Sequence, residues 1–268
     1  MELIQLSPWE LAIAAALVLL LALLNLRTAP HLSRSIVIAM IRMGVQLTLI
    51  GLILNFLFQQ VALPWVALVT FVMLAAAGRE IAARLQRGYK GAWSFVIGTG
   101  SMLISSVVVT VAALLVLIRA DPWYHPQYAI PLLGMLLGNT LNGIAIGLDR
   151  ITQGAVDNRQ AIEGRLLLGH SWQEATTQLR RNALQGALIP TVNSMAVAGI
   201  VALPGMMTGQ ILAGVPPATA VSYQMLILLL IAAGTGFAAL FSAWAATRRL
   251  FDDRQRLRLD RLRETRAP

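Results

Sequence analysis

The chain has 268 residues, 57% hydrophobic and 12% charged, with a mean hydropathy of +0.70. A soluble domain carries about 25% charged residues, so this composition excludes an ordinary water-soluble fold and assigns most of the chain to lipid. The net charge of +9 is not a nucleic-acid signature, because no groove pattern of interleaved aromatic and basic residues accompanies it, and the lack of cysteine removes disulfides, thiolate metal sites and thiol catalysis together.

The N-terminal stretch contains Glu2 and Glu10 and no Lys or Arg. A cleavable signal peptide needs a positive leading region, so the first apolar run is expected to be a retained span. Seven apolar segments follow in order: residues 9–26, 36–58, 64–85, 93–118, 128–148, 187–212 and 220–246. Each is close to or above the ~20 residues a helix needs to cross the hydrocarbon core. The ~10-residue alternation of strands in lipid is absent, and only helices and closed barrels satisfy their backbone there. An all-α, polytopic membrane protein of about seven transmembrane helices is therefore expected.

Arginine orients the spans. The first gap holds Arg27 and Arg34; the third holds Arg79, Arg84 and Arg87 with Lys90. The fifth holds Arg150, Arg159, Arg165, Arg180 and Arg181, and the tail holds Arg248, Arg249, Arg254, Arg256, Arg258, Arg261, Arg263 and Arg266. The second and sixth gaps have none, and the fourth only Arg119. By the positive-inside rule the odd gaps and the tail are cytoplasmic. The N-terminus is then outside and the C-terminus inside, which requires an odd number of spans, as seven is.

The fifth gap, about residues 149–186, is long and polar, and such loops are usually functional or structured. Ile162, Leu166 and Leu167 recur at helical spacing around Glu163 and Arg165. Gly169 is a plausible C-cap, and Ser171 an N-cap for a second helix carrying Glu174. The loop thus reads as helix–turn–helix, offered to a partner or lying on the membrane surface. The tail, about 247–268, alternates Arg with Asp and Leu and reads as a solvated extension of the last helix near anionic headgroups.

The spans are nearly free of carboxylates, the usual marks of proton relays and ion-coupled carriers. Lys90 is the only lysine and lies in a gap, which excludes a retinal Schiff base. His31, His125 and His170 are scattered, no Gly-x-Ser-x-Gly occurs, and no phosphate-binding Gly-x-x-x-x-Gly-Lys-Ser/Thr is present. An enzyme is not expected.

Polar residues within the spans carry what signal remains. Arg42 and Gln46 share a face of the second span at i,i+4, with Asn55 beyond. Arg42 either snorkels to headgroups or stands at a cavity mouth. In the fifth span Gly134/Gly138 and Gly143/Gly147 form small-residue steps that let helices approach. Asn139 and Asn142 lie between them, as helix glue or as the lining of a path. In the sixth, Pro204 and Gly205 break the helix, and freed backbone at membrane depth tends to face a cavity. Met206, Met207, Thr208 and Gln210 at that break either fill space or offer soft thioether and oxygen donors.

Residues 131–149 (PLLGMLLGNTLNGIAIGLD), 162–175 (IEGRLLLGHSWQEA) and 187–214 (ALIPTVNSMAVAGIVALPGMMTGQILAG) closely resemble the FetB-like family, as do 41–51 and 77–93. That family supplies the membrane subunits of an ATP-binding-cassette exporter linked to iron, with plant relatives linked to aluminium tolerance. The resemblance covers almost the whole chain. It implies a single inner-membrane permease domain over 1–268, multi-pass, without its own ATPase. The partners implied are an ABC ATPase subunit, a second copy of the chain and the lipid bilayer, with no nucleic acid. No cofactor is expected on this chain, ATP and Mg²⁺ belonging to the partner.

The segment from Glu163 to Gly169 also resembles the coupling loop of importer permeases, with Gly164-Arg165 in place of two alanines. It implies that Glu163, Arg165, Gly169, Trp172 and Glu174 couple to the ATPase. Asn139, Asn142, Met206, Met207 and Gln210 are the candidate substrate path, for iron or a related metal. Two alternatives stand beside this: an ABC permease for a non-metal amphipathic substrate, and a stand-alone seven-helix channel.

Overall fold

In a computed structural model the described residues are 7–264; Glu2 and Arg266 lie outside them. They form helices joined by short connections, with no strand beyond isolated bridges. The chain divides into two compact units.

The first unit, Met1–Val61 with Leu212–Val215, contains α1 (Pro8–Asn25) and α2 (Pro30–Gln59). Both begin with proline, whose missing N–H costs nothing in the first turn. Ser7 caps α1, and the Glu10 carboxylate accepts its backbone N–H at 2.6 Å. Glu10 is thus a capping residue. Ser33 Oγ donates to the Ala22 carbonyl at 2.5 Å, joining the two helices.

The second unit holds the remaining elements: α3 (Leu63–Arg84), α4 (Trp93–Met102), α5 (Val108–Ala112), α6 (Pro126–Asp157), α7 (Arg159–Leu167), α8 (Trp172–Ala175), α9 (Thr177–Val197), α10 (Gly205–Leu212) and α11 (Pro217–Arg249). Wide π-type turns at Leu103–Val107 and Ala113–Ile118 join α4 and α5 into one span, Trp93–Ile118. The hub is α6, packed against α11, α9 and α3. Close approach is built from glycine. A Cβ on Gly143 would stand 2.7 Å from Thr235 Cγ2 and 3.1 Å from the Ala187 carbonyl. Gly147 faces the same helix, 3.5 Å from Ala187 Cβ, whereas Gly138 has open space beside it. The Gly143/Gly147 step is therefore used against α9, while in the other step Gly134 lies against Met73 of α3, whose Cε would be 3.3 Å from a Cβ there, and only Gly138 is open.

Among the described residues six helices are long and apolar enough to cross a membrane. The segment at 187–212 is interrupted over a longer stretch than the break expected at Pro204 and Gly205. Its helix begins in the polar loop, stops at Val197 and resumes at Gly205. Gly199 between them takes φ +81°, and Pro204 has no N–H to continue a helix. The fifth span also differs: α6 runs on to Asp157, so the first residues of the 149–186 gap are helix.

The tail corrects the expectation of a solvated helical extension. Helix α11 stops at Arg249, and the chain turns back at Asp252. The Asp252 carboxylate accepts the backbone N–H groups of Arg254 (3.0 Å) and Arg256 (2.9 Å), a local competitor to helical bonding. Four carbonyls at a helix end need partners from elsewhere. In α11 the Tyr89 hydroxyl serves Ala246 (2.7 Å), the N–H of Leu250 serves Thr247, that of Phe251 serves Arg248, and the Arg261 guanidinium serves Arg249 (2.7 Å). The tail then bonds to the α3–α4 connection: Lys90 N–H donates to the Arg261 carbonyl and Arg263 N–H to the Gly88 carbonyl, both at 2.8 Å. Leu250, Phe251 and Leu262 are buried by this fold-back.

Candidate functional site

The α3–α4 connection, the α7–α8 loop and the folded-back tail form one arginine-rich layer whose buried side chains continue the core of the spans. Tyr89, Ile151, Ile162, Trp172, Phe251 and Leu262 are all buried in it. Burial pushes the Tyr89 hydroxyl well above its usual pKa, so it stays a neutral donor to Ala246.

The α7–α8 loop is tightly specified. Gly169 takes φ +88°, a conformation that costs L-residues about 1–2 kcal/mol. It ends α7 as an αL cap, with its N–H donating to the Leu166 carbonyl at 3.0 Å. Ser171 and Glu174 form a reciprocal capping box that starts α8. The Ser171 N–H donates to the Glu174 carboxylate at 2.8 Å, and this bond holds the carboxyl below its usual pKa. Glu163 pairs with Arg159 at 2.9 Å on the α7 surface. Arg165, though exposed, donates to the Ala175 carbonyl at 3.3 Å.

Trp172 does not face outward. It is 8% exposed, lies 6.1 Å from the Phe251 ring and 5.8 Å from the Arg180 guanidinium, and donates its backbone N–H to Gln255 Oε1 at 2.9 Å. It positions the loop on the tail. The large apolar residues that the loop offers to solvent are Leu167, 89% exposed, and Leu168, 80% exposed. Helical spacing put Leu167 on the buried face with Ile162, but α7 ends there and the chain leaves the helix. The available signal was the run of three leucines before Gly169 in an otherwise polar loop.

The path candidates lie on separate elements. Asn139 and Asn142 are on the exposed face of α6. Asn139 bonds back to the Met135 carbonyl at 2.8 Å, while Asn142 accepts from Arg84 at 2.7 Å. Arg84 in turn pairs with Glu80 at 3.3 Å. This Glu80–Arg84–Asn142 chain crosses from α3 to α6; the Glu80/Arg84 step is visible as i,i+4 spacing, the asparagine only in three dimensions. On α10, Met207 is buried, Met206 is half-buried, and Gln210 Oε1 is buried without a partner. Helix α10 has no extensive interface with α6, so the methionine and amide sets are not assembled into one site. Arg42 and Gln46 lie in the first unit, both exposed on α2. Among the described residues no cluster of three or more His, Asp or Glu side chains is arranged to hold a metal ion.

Six long apolar helices and an arginine-rich layer define a multi-pass helical membrane protein. Residues 8–251 match the family described as Uncharacterised protein family (UPF0014), and the chain belongs to it. It is 36% identical over 214 residues to a UPF0014 membrane protein of Synechocystis sp., covering 79% of this chain and 81% of that one. It is 26% identical over 256 residues to the Escherichia coli K12 protein named Probable iron export permease protein FetB, covering 95% and 96%. It is 30% identical over 217 residues to Protein ALUMINUM SENSITIVE 3 of Arabidopsis thaliana, covering 80% and 77%. No solved structure matches.

Proposed function

We propose that the chain is the permease subunit of an ATP-driven exporter of iron or a related metal in the cell inner membrane. A separate ABC ATPase energises it by docking on the α7–α8 loop, and two copies of the chain form the path. The observation that carries this reading is the Leu167–Leu168 pair, exposed on a loop fixed by Gly169 and by the Ser171–Glu174 box. Exposed apolar residues in an arginine-rich layer outside the hydrocarbon core mark a partner contact. Closure of the ATPase would push this loop and move α6 and α9, which flank it, as rigid bodies. The name of the Escherichia coli relative supports metal export.

The arginines of the layer support a cytoplasmic location, and in this reading the interrupted α9–α10 pair is the seventh crossing. Broken helices at membrane depth suit a substrate cavity, and in this reading Met206, Met207 and Gln210 on α10 and Asn139 and Asn142 on α6 line successive parts of the path. An apolar cavity of about 270 Å³ between α3, the Leu103–Ile118 stretch and α6 favours a second reading, an amphipathic organic cargo.

The test is purification of the tagged chain from mild detergent, native and as Glu163→Ala plus Gly169→Pro. An ATPase is expected with the native chain and not with the variant, and iron is expected to stimulate its rate in proteoliposomes. Stimulation by amphipathic organic compounds and not by metals would select the second cargo. Absence of any ATPase from the native preparation would favour a stand-alone channel.

A further inference from the structure

A groove of about 760 Å³ runs beside the α7–α8 turn. Leu166, Leu167 and Gly169 form one side, and the folded-back tail, with Asp253, Arg254 and Arg256, forms the other. We propose that tail residues 253–257 are part of the ATPase-docking surface, with Arg254 meeting an acidic residue of the ATPase. The proposal rests on the docking reading above and adds a second recognition element to it.

Three observations carry it. The tail wall is fixed to the loop wall: Gln255, held at φ +57°, accepts the Trp172 N–H at 2.9 Å, and the Arg258 N–H returns to the Leu250 carbonyl at 2.7 Å. A body seated on one wall is therefore in contact with the other. The charges of the groove are also unequally matched. Glu163 pairs with Arg159, Asp253 with Arg248 and Arg256 with Asp252. Arg254 has no acidic partner among the described residues, so the groove carries one uncompensated positive charge. Finally, Leu167, the more exposed of the two leucines, lines this groove. An occupant that covers Leu167 with apolar surface comes alongside Arg254, and a carboxylate there completes the match.

Because the chain has no cysteine, a single introduced thiol reports one position. His170→Cys reports the loop wall and Asp253→Cys the tail wall; Gln178→Cys, in a separate cleft of the same layer, is the control. Maleimide labelling is timed for the chain alone and in complex with its co-purified ATPase. Labelling at His170→Cys and Asp253→Cys is expected to slow about tenfold or more in the complex, that at Gln178→Cys to stay unchanged, and Arg254→Glu to weaken the complex about tenfold while Arg254→Lys retains it.

If His170→Cys is protected and Asp253→Cys labels freely, the tail proposal falls and the docking loop stands. If neither is protected in an intact complex, both fall. Equal protection of Asp253→Cys by anionic phospholipid vesicles without ATPase would assign the groove to headgroups and overturn the proposal. Unchanged affinity of Arg254→Glu overturns the charge match.

Discussion

The two ends of the α6 unit are held by different forces. In its membrane half α6 meets α9 through Gly143 and Gly147, with Thr235 of α11 pressed against the same turn. Lipid is as apolar as leucine, so burial alone does not drive helices together there and contact depends on close backbone approach. In the arginine-rich layer the buried residues include the aromatics Tyr89, Trp172 and Phe251, and the end of α11 is closed by side-chain bonds. Water is the alternative environment for those residues, so burial itself stabilises the layer. Deleting bulk should therefore damage the layer, and adding bulk should damage the membrane half.

The largest expected effect is Trp172→Ala. Removal of a buried tryptophan costs about 3–5 kcal/mol, and here it also frees the α7–α8 loop from Phe251 and Gln255. Limited proteolysis in detergent should cut between α7 and α9 in this variant and leave the spans intact. Simultaneous collapse of the spans would show that the layer is not a separately stabilised region.

Next in size is Gly143→Ala, which puts a methyl 2.7 Å from Thr235 Cγ2 and should lower the thermal stability of the purified protein by about 1–3 kcal/mol. Gly138→Ala meets nothing within 4 Å in this unit and should be neutral or slightly stabilising if no further chain packs there. A cost at Gly138 equal to that at Gly143 would place a second copy of the chain on the open face of α6.

A loss of the same order is expected for Tyr89→Phe. It removes the hydroxyl that donates to the Ala246 carbonyl, and leaving a buried acceptor unpaired costs about 1–3 kcal/mol. Hydrogen exchange should then increase at the end of α11 and in the tail, and not in α6.

These effects also mark what the sequence can show. Span positions follow from hydropathy, and the αL residue Gly169 and the Ser171–Glu174 box follow from local chemistry, because each is decided within a few residues. The fold-back of the tail was not legible. Its arginine pattern is that of a solvated helix, and the bonds that overrule it reach to Gly88, Gly91 and Lys90 on a distant connection. The inward turn of Trp172 depends in the same way on Phe251 and Gln255. The Glu80–Arg84–Asn142 chain needs α3 beside α6. On α10 the donor types at Met206, Met207 and Gln210 are plain in sequence, but whether they gather around a cargo depends on helix placement that no local pattern encodes.

The smallest expected effect is that of acid on the tail. The Arg258 guanidinium lowers the Asp260 carboxyl to about 2, and the backbone N–H of Arg256, with its side chain, lowers Asp252. Both acids therefore ionise more readily in the folded chain than in the unfolded one. Their contribution is complete above the ordinary carboxylate range and is lost as pH falls through the depressed folded values. Between about pH 4 and pH 2 the tail should loosen from the α3–α4 connection. Amide exchange at Lys90 and Arg263, corrected for intrinsic pH dependence, should speed up across that window, with Trp172 still buried. Asp252→Asn plus Asp260→Asn should abolish the dependence and leave the tail partly loosened at neutral pH. A pH response that survives both substitutions would mean that another acid, and not the Asp252 turn, controls the fold-back.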